Sequence, residues 1–132
     1  MSVPESKGYV LNRSRSALLA TRLAVADTHW SRFMGLMGRD PETFAHGDAL
    51  WITPCRGVHT FAMRFPIDVA YLDREGVVVH MERSLRPWRV APVRLKAASV
   101  LELPDNTLKA TGTDVGDRVE ISVGATCKEG ER

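Results

Sequence analysis

Cysteine is scarce. The chain of 132 residues has two, Cys55 and Cys127, too few for a disulfide framework. That excludes the small stapled scaffolds of secreted proteins and fits reduced thiols in a cytoplasm, the expected compartment. Long apolar runs are missing as well; none approaches the roughly 18 residues that span a bilayer. There is little excess charge of one sign: 18 basic against 16 acidic side chains give a net charge of +2. That is too small by itself to imply nucleic acid or a membrane as partner, and neither is expected. No internal repeat, low-complexity segment or paired His/Cys spacing of the zinc kind is present. What is there is an ordinary globular composition, long enough for one domain with a real core.

Along the chain, residues 1–8 read as a flexible tail, 9–123 as a single β-rich domain and 124–132 as a charged tail. Tyr9–Asn12 and Ala17–Ala26 read as strands joined by a polar turn. Arg13 and Arg15 precede the second strand, and Ala24-Val25-Ala26 looks like a cleavage site. Arg22 and Glu5 nevertheless break the pattern of a secretory signal. Thr28 or Asp27 suits a helix N-cap. Trp30, Phe33, Met34 and Met37 then fall at i, i+3, i+4 and i+7, predicting a short amphipathic helix over 28–37 with Gly38 as its stop. Gly35 lies next to its apolar face. Ala49–Ile52 reads as a strand broken by Thr53-Pro54, and Gly57–Phe61 as more extended chain. Ile67–Leu72 and Val77–Met81 flank Asp73-Arg-Glu-Gly76 as a hairpin. Ser99–Leu103 and Arg118–Val123 complete the strands, with a turn of helix over 104–110.

About eight short strands and one helix predict a mainly β (α+β) domain, either a barrel or a two-sheet sandwich. The stretch Trp51–Asp73 concentrates the chemistry. Cys55, His59, Met63 and Asp68 sit there among apolar residues. Alternation puts Asp68 on a covered face of its strand, where a carboxylate needs a donor. Arg64, a cluster of backbone N–H groups or Arg32 would serve. An Arg32–Asp68 pair would tie the helix to the sheet.

Four kinds of chemistry follow from these residues. Cys55, His59 and Met63, with Met34 and Met37, are soft ligands of the kind that hold monovalent copper. On a strand, however, the first three spread over about 26 Å, and Met residues otherwise serve as core filler. No metal and no cofactor is expected. Cys55 with His59 as base and Asp68 as orienter has the residue types of a nucleophilic triad, and His59 with Asp68 those of acid–base hydrolysis. Nothing in the spacing brings them together. Arg83, Arg86, Arg89, Arg94 and Lys96 around Trp88 read as a solvated basic loop. A pocket for a small, partly apolar ligand fits best, lined by Trp51, His59, Phe61 and Met63 with Arg32, Arg64 and Asp68 as polar wall.

Taken together, Thr21, Ser31–Met37 (SRFMGLM), His59–Met63 (HTFAM), Ile67–Asp73 (IDVAYLD), Val100–Leu103 (VLEL) and Gly116–Val119 (GDRV) resemble domain of unknown function family 192, also called uncharacterised protein family 0127. The resemblance runs from about Leu18 to Ile121. It implies a compact β-rich fold with a short helix after the second strand, and no established activity. Many members of that family look exported. Where its commonest pattern is Trp-Met-Lys-Asn-Thr, this chain has Phe61-Ala62-Met63-Arg64-Phe65, so a polar pair is partly replaced. The expected role is to bind a small molecule or a protein partner near His59–Asp68. A hydrolase using His59 and Asp68, perhaps with Cys55, is the alternative. The chain itself is expected to be a monomer or weak homodimer.

Overall fold

The computed structural model describes residues 5–124. Its strands are β1 (Glu5–Asn12), β2 (Ala17–Ala26), β3 (Gly47–Ile52), β4 (Ile67–Leu72), β5 (Val78–Leu85), β6 (Ser99–Pro104) and β7 (Val119–Val123). The helices are α1 (His29–Met34), between β2 and β3, and α2 (Thr107–Thr111), between β6 and β7. The strands form one seven-stranded sheet in the order β5-β4-β6-β3-β2-β1-β7. Every pairing is antiparallel except β2 with β3. A parallel pair cannot be joined by a tight turn, so the segment carrying α1 crosses over one face of the sheet.

Seven of the expected strands are present and the architecture is mainly β; Gly57–Phe61 forms no strand and makes a single bridge, His59 to Val90. A second sheet is not formed. Instead the sheet curls into a half-barrel until its two ends touch. The turn before β5 meets the start of β7: Val119 N–H donates to Gly76 O at 2.8 Å and Val78 N–H to Asp117 O at 2.9 Å. Gly76 is needed there twice over. Its φ is +82°, and a Cβ would stand 2.4 Å from Val119 O. The first strand begins at Glu5, inside what reads as a tail. The C-terminal tail beyond residue 124, with Cys127, lies outside the described residues.

Each face of the sheet carries its own apolar layer, because side chains alternate along strands. On β4, Ile67, Val69 and Tyr71 join Leu50, Ile52, Met63 and Val100 on one face. Ala70 and Leu72 join Leu101, Leu103, Leu108 and Leu23 on the other. Both β4 and β6 are buried at every position, as expected of central strands.

The helix differs from its prediction. It is six residues long and carries no buried residue. A reciprocal cap starts it: Ser31 N–H donates to Thr28 Oγ1 and Thr28 N–H to Ser31 Oγ, both at 3.0 Å. It ends at Gly35, not Gly38, because Gly35 takes φ +47°, a region open to glycine. Leu36 then enters the core. Trp30 and Phe33, predicted to be the buried stripe, are 62 % and 57 % exposed. A helix that stops after six residues never lays its i, i+7 stripe against the sheet.

Candidate functional site

The turn after α1 and the loop after β3 lie over the first face of the sheet and enclose a small cavity of about 100 Å³. Its walls include Arg32, Phe33, Met34 and Met37 from the α1 segment and Cys55, His59 and Met63 from the loop. Ile52 and Glu102 rise from the sheet.

Glu102 is the residue on which the cavity turns. It lies on β6, between Leu50 of β3 and Val69 of β4. Alternation puts its side chain on the face of Val100. It is 2 % exposed, and Oε1 has no hydrogen-bond partner. Burial alone pushes its carboxyl up from an ordinary 4.5 to about 8. It is therefore largely a neutral acid at pH 7, able both to donate and to accept a hydrogen bond. Gly35 stands directly above it; a Cβ there would lie 3.8 Å from Oε1. A buried polar atom without a partner is uncommon, and this one faces a cavity.

The other walls are fixed by their own bonds. Arg32 donates from Nη1 to Pro54 O at 2.8 Å and from Nε to Thr28 O at 3.3 Å, with Nη2 3.1 Å from His29 Nδ1. His59 Nδ1 accepts the Phe61 N–H at 3.2 Å, which leaves Nε2 to carry the proton of the neutral ring. Cys55 Sγ donates to Gly57 O at 3.0 Å, and burial raises its pKa. It is a thiol at neutral pH, not an activated thiolate.

The structure thus brings together Arg32, Cys55, His59 and Met63 and separates the rest of the sequence-derived set. Asp68 points to the opposite face, where Oδ1 accepts Ser84 N–H at 2.9 Å and Oδ2 accepts Leu108 N–H at 2.8 Å. The Arg32–Asp68 pair is not formed, because one partner lies above the sheet and the other below it. Trp51 also packs against the second layer. Arg64 is on the outside, paired with Asp40. Cys55, His59 and Asp68 form no triad for the same reason of facing. No cluster of three or more His, Cys, Asp or Glu with metal-holding geometry occurs among the described residues.

Glu102 itself was legible as a strand residue but not as a site. The signal was a lone carboxylate in Val100–Leu103, a run otherwise apolar on both faces. A much larger groove of about 840 Å³ lies between the β4–β5 turn and residues 94–98. It is wide open and has no orphaned polar atom, so it makes no comparable demand for a ligand.

A curled sheet whose crossover segment roofs a cavity over one buried carboxyl defines a class: a β-rich domain with a small capped cavity. The model of domain of unknown function family 192, described as an uncharacterised ACR, matches residues 10–121. A Pyrococcus abyssi member of uncharacterised protein family 0127 is 35 % identical over 119 residues, covering 86 % of this chain and 97 % of the relative. One from Thermococcus sibiricus is 29 % identical over 119 residues, covering 86 % and 75 %. The chain belongs to domain of unknown function family 192, uncharacterised protein family 0127. Two crystal structures share the fold. A chain from Sinorhizobium meliloti 1021, described as a candidate transcription regulator, superposes with a TM-score of 0.77 at 22 % identity, covering 92 % of this chain and 96 % of that one. A protein of unknown function from Novosphingobium aromaticivorans gives 0.70 at 19 % identity, covering 86 % and 82 %.

Proposed function

We propose that this domain binds a small ligand in the cavity beneath α1, with a hydrogen-bonding group of the ligand meeting Glu102. The observation that carries this reading is the buried, unpartnered Oε1 of Glu102 at the cavity floor. Leaving such an atom unsatisfied costs about 1–3 kcal/mol, a cost that a ligand hydroxyl, amide or ammonium removes. The cavity is smaller than the roughly 150 Å³ that accommodates benzene, so the enclosed part of the ligand is a few heavy atoms. Met34, Met37, Met63 and Ile52 supply apolar flanks. His59 Nε2 and Arg32 stand at its polar side. The binding residues in this reading are Arg32, His59, Met63, Cys55 and Glu102; Trp51, Arg64 and Asp68 have other roles.

Native mass spectrometry of the protein purified from its own cells, without added metal, tests it. The expected result is a bound organic mass that is absent from Glu102→Leu, with the melting temperature of that variant no lower than that of ligand-free wild type. Replacing a buried carboxyl by an apolar side chain of similar size is neutral or stabilising. A bare chain mass for the wild type overturns the proposal.

A further inference from the structure

Although the net charge is small, it is unevenly spread. No acidic residue occurs from Arg83 to Leu101, a stretch that holds Arg83, Arg86, Arg89, Arg94 and Lys96. Among the described residues, Arg86, Arg89, Arg94 and Lys96 form no ion pair. The same stretch exposes Trp88, Val90, Val93 and Leu95.

Residues 88–94 run antiparallel along 56–60. Trp88 N–H donates to Thr60 O at 2.9 Å, Thr60 N–H to Arg89 O at 2.8 Å, Ala91 N–H to Val58 O at 2.8 Å and Arg94 N–H to Arg56 O at 2.9 Å. This ribbon and α1 together bring five rings into one chain of contacts. Ring centroids are 6.0 Å apart from Trp88 to Phe61, 5.0 Å from Phe61 to His59, 5.6 Å from His59 to Phe33 and 6.2 Å from Phe33 to Trp30. Trp30, Phe33, Phe61 and Trp88 are all exposed. Trp88, 64 % exposed, holds φ +64°, a strained conformation for a bulky residue. The fully buried Thr60 fixes it, its Oγ1 donating to Arg86 O at 2.6 Å and accepting Arg89 N–H at 2.8 Å. Backbone strain and a buried hydroxyl are thus used to hold a tryptophan in water. Contiguous exposed apolar surface of this kind marks an interaction site.

We propose that this aromatic ridge and its basic rim dock on an anionic lipid surface. The unpaired cations complement negative headgroups. Tryptophan and phenylalanine beside arginine are the residues favoured at the headgroup boundary. Single-stranded nucleic acid fits less well. The rings already pack on one another, and the aliphatic Val90, Val93 and Leu95 offer bases nothing to stack on. The acid nearest the ridge in sequence is Asp27, ahead of α1. This surface adjoins the proposed ligand cavity, sharing Phe33 and His59 with it, whereas Trp88 and Arg89 do not line the cavity.

The test is co-sedimentation and tryptophan fluorescence of the full chain with vesicles of phosphatidylcholine alone and with about 30 % phosphatidylglycerol, at low salt. Binding to the anionic vesicles is expected to be at least roughly tenfold tighter, with emission shifted to the blue. Trp88→Asn, whose new residue tolerates the left-handed backbone, and the double variant Arg86→Gln/Arg89→Gln are each expected to weaken it at least roughly fivefold with unchanged melting. Anionic vesicles that leave the protein in the supernatant overturn the proposal, as does undiminished binding by either variant. A short oligothymidylate bound more tightly than the vesicles would assign the ridge to single-stranded nucleic acid instead.

Discussion

Two carboxyl groups are buried at the centre of the sheet, one on each face, and they are opposites. Asp68 is 1 % exposed and Glu102 2 %, and the strands that carry them are direct neighbours. Asp68 accepts a backbone N–H on each oxygen. It joins the end of β5 and the start of α2 to β4, so its burial serves the fold. Glu102 has no donor for Oε1, so its burial costs stability, a cost that the proposed ligand would offset. The difference shows that burial alone does not mark a site; the proposed function rests on burial without a partner beside a cavity.

Glu102→Gln is expected to have the largest effect on that contrast, through pH. In the folded chain Glu102 titrates at about 8 against an ordinary 4.5, so between those values the folded state keeps a proton that the unfolded chain has lost. Its contribution is complete below about pH 4.5, declines as pH rises through the window and is lost above about 8. The span corresponds to roughly 5 kcal/mol. Urea unfolding at pH 5 and 8.5 measures it. The wild type is expected to be weaker at the higher pH by up to that amount. Glu102→Gln removes most of the slope, and an equal slope in both proteins would mean that some other group titrates.

Asp68→Asn comes next. It offers an amide where two backbone donors converge, and a loss of about 2–3 kcal/mol is expected, or roughly 5–15 °C in melting temperature. An unmoved transition would show that the two hydrogen bonds carry no weight. Gly35→Ala is expected to cost about 1–3 kcal/mol, because φ +47° with ψ −122° is a conformation that essentially only glycine adopts. Its effect on the ligand mass seen in native spectra should be greater than its effect on stability, because the new methyl sits over Glu102. Ligand retention with a lowered Tm would place the binding group elsewhere. Smallest is Arg64→Ala. Arg64 and Asp40 are both more than half exposed, and such pairs contribute at most about 1 kcal/mol. A larger shift in chemical denaturation would show that this residue is more than a surface partner.

The sequence was most informative where physics is local. The β4–β5 hairpin was readable because Ile67–Leu72 alternates and Asp73–Gly76 has turn chemistry: Asp73 Oδ1 accepts the N–H groups of Glu75 and Val77, both at 2.9 Å. Family membership was readable from motifs spread over nearly the whole domain. The site was half readable. Arg32, His59 and Met63 do converge, but Asp68 was assigned to their side because alternation along one strand cannot say which face the roof covers. That depends on the path of the β2–β3 crossover, a long-range fact. The choice between Gly35 and Gly38 as the helix stop was likewise invisible. Both have positive φ, and only the docking of Leu36 selects the first. Glu102 reads from the sequence as a turn cap or a partner for the arginines of 83–96; among the described residues it forms no ion pair, because its side chain lies in the core beneath Gly35, which comes from a distant segment.

The adjacency of β1 and β7 has a consequence for how the chain reaches this structure. Leu11 pairs with Glu120 and Val10 with Ile121, so the sheet joins one of its earliest strands to its last. Closing so long a loop is an entropic expense that nothing local offsets in advance. The hairpin β4–β5 can form within microseconds, whereas the β1–β7 ladder must wait for the chain between to be collected, which places folding in the slower, topology-limited regime of all-β domains. Until that ladder forms, β1 is an open strand edge and therefore a template for another chain. During synthesis that edge emerges well before its cover, which makes the interval between the two the period in which this domain is most exposed to mispairing.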